Sequence, residues 1–248
     1  MQLQIVSTSG RVYRQHFVDG INTIGVQWDE EFMIRFRNSL PAKVQMRLAV
    51  DGTDVQTGEP PSLDPSGTMW VIDAYGTMEL KAWPETSKGG VRFRFSTAGE
   101  SVALHTHGDM GAQGYISAAV FIEGYQPPVV NWREQSRRAN AGMESFGQAK
   151  GLETMRGGGS AVGAGQYVQQ EIGRGQGLRE PRFSEIVQVR HMWWDQLEAR
   201  LREAGINPGH PTGFESRERP MANLGSTPRP GQPGLGKRPE PYRYSRFE

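Results

Sequence analysis

From Phe32-Met-Ile-Arg-Phe-Arg-Asn-Ser-Leu40 through Val44-Gln-Met-Arg-Leu-Ala-Val-Asp-Gly-Thr-Asp54 to the closing Tyr115-Ile-Ser-Ala-Ala-Val-Phe-Ile-Glu123, apolar and polar side chains alternate through most of the stretch, with turn-forming residues in the breaks. A period of two sends alternate side chains to opposite faces of a strand. Phe32, Ile34 and Phe36 therefore oppose Met33, Arg35 and Arg37. In the same way Val44, Met46, Leu48 and Val50 oppose Gln45, Arg47 and Ala49. This is the pattern of antiparallel strands with one dry and one wet face. Tyr115–Glu123 is the most apolar segment and is expected at the centre of a sheet.

Working outward, Leu3 to Ser7, Val12 to Val18 and Thr23 to Val26 read as short strands, separated by the turn pairs Ser9-Gly10 and Asp19-Gly20. Asp-Gly is a strong hairpin signal, and Asp51-Gly52 repeats it. Gly58 to Gly67 contains Pro60, Pro61 and Pro65 and is expected to be a loop. Met69 to Ile72, Met78 to Trp83 and Val91 to Phe95 continue the strands. Many short strands at this spacing predict a mainly β chain whose N-terminal domain is an antiparallel β-sandwich or jelly roll.

Pro127-Pro128 places the end of that domain at residue 127. Residues 128–183 read as a polar and Gly-rich linker, with a charged segment over Asn131 to Met155 that suits either a short helix or a linker and a flexible hinge over Gly157 to Gly165. Residues 184–206 read as an amphipathic helix. Ser184 is its expected N-cap, and Ile186, Val189, Trp193, Leu197 and Leu201 form one apolar stripe. Glu198 and Arg202 form a favourable pair one turn apart. Gly205 followed by Ile206 is the expected C-cap, and Pro208 bars continuation. The stripe is expected to dock on the sandwich or on a partner. Residues 207–248 hold eight Pro and six Gly without helical or strand period, and read as an extended arm. Tyr242, Tyr244 and Phe247 near its end are aromatics that such an arm can bury only against a partner.

Composition narrows the function classes. There are 28 basic and 27 acidic residues, so the net charge of +1 gives no field to attract nucleic acid or an anionic membrane. The chain has no Cys, which excludes disulfides and thiolate metal sites. Met1-Gln-Leu-Gln-Ile-Val6 has neither a basic start nor an apolar run, so no signal peptide is expected. No apolar run approaches the length of a membrane helix. With Gly 32 and Pro 16 and a mean hydropathy of −0.60, only part of the chain is expected in a conventional core.

One segment has the spacing of a metal site. Gly99-Glu-Ser-Val-Ala-Leu-His105-Thr-His107 matches the opening of the first cupin motif, and on a strand both imidazoles would share a face. The Glu that should follow is replaced by Gly111 and Ala112, although Asp109 lies nearby; no metal or other cofactor is therefore expected. Gly157 to Gln166 lacks the Gly-Lys-Ser/Thr ending of a phosphate loop. Glu79 and Glu85 have nothing in the sequence to bring them together. Trp193-Trp194 reads as one core residue and one contact residue. Trp70, Trp83 and Trp132, with the loop Glu59–Gly67, are the platforms available for a sugar.

The run Asn38-Ser-Leu, Arg47-Leu-Ala-Val-Asp-Gly, Gly58-Glu-Pro, Ser66-Gly, Phe93-Arg-Phe and Ala119-Val-Phe-Ile-Glu resembles a poorly characterised group of bacterial and phage-associated proteins. That group has a VDG strand-turn, a closing GVAVF.E strand, then a Gly-rich segment and a segment ending L…GI. The resemblance spans roughly residues 20–206, and its motifs are turns and core strands. A sandwich carrying a long arm is also similar in architecture to the cement, or decoration, proteins of tailed-phage capsids.

The expected function is accordingly a non-enzymatic structural protein of a virion. Its partners would be the major capsid protein and copies of itself, as a dimer or trimer, with no nucleic acid or membrane. It would lie on the capsid surface and otherwise in the cytoplasm. Ile186, Val189, Trp193, Leu197, Leu201, Tyr242, Tyr244 and Phe247 would make the contacts. A carbohydrate-binding or adhesion module and a cupin-like metalloenzyme using His105 and His107 are the alternatives.

Overall fold

The computed structural model describes residues 1–107, 112–124, 159–173 and 175–208. Its strands are β1 (Gln2–Ser7), β2 (His16–Val18), β3 (Ile21–Val26), β4 (Glu31–Arg37), β5 (Val44–Val50), β6 (Thr53–Asp54), β7 (Trp70–Ile72), β8 (Thr77–Leu80), β9 (Ala82–Thr86), β10 (Gly89–Thr97), β11 (Tyr115–Glu123), β12 (Ser160–Gln169) and β13 (Pro181–Trp193). A short helix α1 (Val102–His107) precedes β11, and α2 (Trp194–Glu203) follows β13.

These strands make two sheets. The first runs β1-β4-β10-β12, with β8 on β4 and β9 on β10. The second runs β2-β3-β13-β11-β5-β6, with β7 on β5. Its β13–β3 pair is parallel, whereas β13 and β11 run antiparallel. The protein is thus mainly β, with the two sheets closing on one shared core. Ile5, Phe32, Ile34, Phe36, Phe93 and Phe95 enter that core from the first sheet; Ile24, Met46, Leu48, Ile116, Val120 and Val189 enter from the second. Burying each large side chain stabilises the fold by about 1.5–3 kcal/mol. Phe32 stacks on Phe95 with ring centroids 4.1 Å apart and on Phe93 at 5.4 Å. Tyr115–Glu123 lies between β13 and β5, central as its composition predicts.

The Asp-Gly pairs do what their chemistry suggests. Val18 faces Ile21 and Val50 faces Thr53, which leaves two-residue loops at Asp19-Gly20 and Asp51-Gly52. All four residues have positive φ, between 50° and 80°. That is the primed turn whose twist matches paired strands.

The wet face expected of β5 is absent, because every residue of this strand is buried. Ala49, Met69, Ala119 and Phe121 form a second apolar cluster on the outer side of the sheet, under Leu63 and Phe183. Buried Arg47 donates to the Ser66 carbonyl, and Gln45 Oε1 accepts from the Leu178 N–H at 3.1 Å. Loop and downstream chain therefore cover a surface that alternation alone marks as solvent-facing.

The domain does not end at residue 127, and 128–183 is not wholly a linker. β12 pairs with β10 along its length, so the Gly-rich stretch expected to hinge is in part a strand with Ala161 and Val162 buried. Its small residues suit close approach rather than freedom: a Cβ on Gly165 would lie 2.5 Å from Glu31 Oε1. The predicted helix over 184–206 also divides. Residues up to Trp193 are strand, and Trp193, not Ser184, precedes α2 without a side-chain cap. Val187, Val189 and Trp193 alternate into the main core, and the 3-and-4 spacing of Ile186, Val189 and Trp193 merely coincides with a helical one. Leu197 and Leu201 do lie on a helix, packed with Val18 and Met192. The apolar stripe is thus spent within the chain, correcting its assignment to a partner. The helix end follows expectation: the Gly205 N–H meets the Arg202 carbonyl at 3.0 Å, the Ile206 N–H meets that of Leu201 at 2.8 Å, and Gly205 has φ +70. This is a Schellman cap. Arg202 pairs with Glu198 at 2.7 Å.

Candidate functional site

Two polar assemblies stand out, one sealed between the sheets and one open to solvent. The sealed one is centred on Asp51. The turn that joins β5 to β6 aims this carboxylate inward, where it is 2% exposed. Oδ1 accepts from the Gly114 N–H at 2.8 Å and Oδ2 from the Val162 N–H at 2.5 Å. Oδ1 also faces His191 Nε2 at 3.2 Å, and His191 Nδ1 lies 2.8 Å from Ser160 Oγ. With the Nε2 proton directed at the carboxylate, Nδ1 accepts from the Ser160 hydroxyl. Ser160 Oγ is also 3.1 Å from the His191 carbonyl oxygen.

A serine, a histidine and an aspartate in line are the residue types of nucleophilic catalysis. Here Ser160 and His191 are each only 2% exposed, and Phe95 lies 5.3 Å from the imidazole. A substrate carbonyl has no approach to Ser160. The same bonds tie β12 of the first sheet to the β5–β6 turn and β13 of the second. The assembly is a clasp between sheets, satisfying backbone donors at Gly114 and Val162 that would otherwise be buried unpaired.

The open assembly is a cleft of about 590 Å³ where the turn after β1 meets the loop between β3 and β4 and the middle of β12. Ser7, Thr8 and Ser9 line one side, and Trp28 with Asp29, Glu30 and Glu31 lines another. Arg94 and Gln166 complete it, over a floor of Ala164 and Gly165. Arg94 donates to Asp29 Oδ1 at 2.7 Å and to the Ala164 carbonyl at 3.0 Å, and Glu100 lies 3.7 Å away. Glu31 faces Arg92 at 3.5 Å and accepts from the Gln166 N–H at 2.8 Å. Burial raises the Glu30 carboxyl above the ordinary carboxylate range, against the lowering influence of Tyr13, the Gln27 backbone and Arg11. Burial and then the Glu30 charge raise the Tyr13 phenol. Tyr13 Oη stands near Glu30 without a hydrogen bond of ordinary geometry.

The residues singled out in the sequence fare differently. His105 and His107 lie on α1, not on a strand. Two residues apart on a helix point to nearly opposite sides, so the shared face required for one metal is lost. Asp109 lies outside the described residues. Among the described residues no group of three His, Asp or Glu is placed to hold a metal ion. Trp70 and Trp83 are in the core, at 9% and 1% exposure, and offer no sugar platform; Trp132 lies outside the described residues. Glu79 is bound to Arg35 at 2.7 Å on the face of β4 and β8. Tyr242, Tyr244 and Phe247 lie outside the described residues. The clasp and the cleft were both missed by the sequence reading. Their signals are slight: His191 interrupts an otherwise apolar alternation of Val187, Val189 and Trp193, and Trp28 opens a run of three acids.

Among the described residues no helix is long and apolar enough to cross a membrane. Comparison with family models, curated proteins and solved structures finds no match to this chain.

Proposed function

We propose that the chain is a non-enzymatic structural protein of a virion, a cement protein that stabilises a capsid by bridging its subunits. One observation carries the reading. The residues of catalytic type that the fold gathers, Asp51, His191 and Ser160, are sealed between the sheets and bonded to the backbone, where they make the sandwich a single clasped body. From the capped end of α2 the sequence continues into 207–248, rich in Pro and Gly and closed by Tyr242, Tyr244 and Phe247. A clasped body followed by such an arm suits a protein that adds contacts existing only in the assembled shell, and so stabilises it by mass action. With its helical stripe spent internally, the arm aromatics are left to meet the major capsid protein and copies of this chain.

The test is composition of particles. Virions purified by density gradient from cells that make this protein should contain it in multiple copies. Cross-linking through Lys237 should join the arm to the shell protein. Particles that lack the chain overturn the reading.

A further inference from the structure

The open cleft carries more polar chemistry than the fold uses. Trp28 Nε1 in its wall is buried without a hydrogen-bond partner, and beside it the Glu30 carboxyl faces the Tyr13 hydroxyl and the Gln27 backbone. The rings of Trp28 and Tyr13 pack against the core, but the core supplies no partner for the Trp28 N–H.

The balance of charge says what kind of ligand fits. Arg94 is engaged by Asp29 and Glu100, so it is not free to hold a phosphate or carboxylate. Glu31 is matched by Arg92. With Arg94 and Arg92 both held by carboxylates, the cleft has little field for an anion. It does present fixed carboxyl acceptors, hydroxyls on Ser7 and Thr8, the amide of Gln166 and an indole ring within one concavity. Hydroxyl groups alternating with an apolar C–H face need that combination.

We propose that this cleft binds a neutral saccharide, with Trp28 supporting the apolar face of the ring and Asp29, Glu30 and Gln166 hydrogen-bonding its hydroxyls. The site stands whether or not the chain belongs to a particle. It differs from the platforms expected at Trp70 and Trp83, which the core consumes.

The full chain, labelled with nitrogen-15, is titrated with glucose, galactose, mannose, N-acetylglucosamine and disaccharides of each, and probed on a glycan array. Phosphate and spermidine serve as charged controls. At least one neutral sugar should saturably move the Trp28 indole signal and the amides of Thr8, Gly165 and Gln166. Glu30→Gln and Trp28→Phe should weaken that binding about tenfold or more while keeping a cooperative thermal transition. Should either fail to fold, Gln166→Ala on the exposed side of β12 gives the same reading. Saturable shifts confined to another surface overturn the proposal. So does a response to phosphate or spermidine but to no sugar, or silence toward every sugar in both titration and array.

Discussion

Asp51 occupies a left-handed turn position and a buried acceptor position at once. The turn role is legible in the dipeptide Asp51-Gly52. The acceptor role is not, because its partners come from residues 114, 162 and 191, which no local pattern connects. Asp51→Ala should leave two backbone donors and an imidazole unpaired, and destabilise the fold by about 3–5 kcal/mol in urea unfolding. Ser160→Ala should cost only about 1 kcal/mol, since one hydroxyl bond is lost while the carboxylate stays in place. Equal effects would contradict the central place of Asp51 in the clasp. Glu30 makes a prediction of opposite character. Its folded carboxyl binds a proton more tightly than the unfolded chain does, because burial raises it. Stability should therefore fall as pH rises from the ordinary carboxylate value through the raised one. Glu30→Gln should reduce that fall, so the difference in melting temperature between variant and parent should shift in favour of the variant from acidic toward neutral pH.

Among the elements, β4, β5 and β10 were legible because their sequences keep a period of two, whereas Met78 to Trp83, read as one strand, divides between β8 and β9, and Val12 to Val18 yields only β2. β12 and β13 were not legible. The first half of β12, Ser160 to Gly165, is mostly Gly, Ala and Ser, which have low strand propensity and form a strand where β10 supplies the partner. β13 places His191 in a core slot, which breaks its alternation and leaves the helical spacing more prominent. Both are integral, so a chain ended at residue 127 should fail to fold: β11 would lose the neighbour on one side and β10 the strand on its edge. Circular dichroism and amide dispersion of that fragment check it, and a cooperative thermal transition would sink the claim. At the opposite end of the sheet, Gly25 lets α2 lie close to β3. A Cβ there would come 2.5 Å from Trp194 Cε3 and 3.1 Å from Leu197 Cδ2. Gly25→Ala should destabilise by about 1–3 kcal/mol through overpacking.

The whole molecule is a sandwich wrapped on its outer side by its own loop and helix, which is why fewer faces are wet than alternation suggests. The capped end of α2 closes this body with backbone bonds of its own. Ending the chain after residue 208 should then leave the urea midpoint nearly unchanged, within about 0.5 kcal/mol, while removing the protein from particles. A large loss of stability would mean that 209–248 belongs to the sandwich, and the bridging role would lose its support.

The position of β13 between β3 and β11 also governs how the protein is born. β13, the last strand among the described residues, is an inner strand of its sheet. His191 emerges 140 residues after Asp51, which at about 5–20 residues per second is a delay of roughly seven to thirty seconds. From the emergence of Glu123 to that of Pro181, 58 residues or roughly three to twelve seconds, β3 and β11 face an empty slot with unsatisfied backbone edges. Synthesis rather than the finished fold is thus the exposed moment of this protein's life, and its yield should depend on holding that slot apart from other nascent chains until β13 arrives.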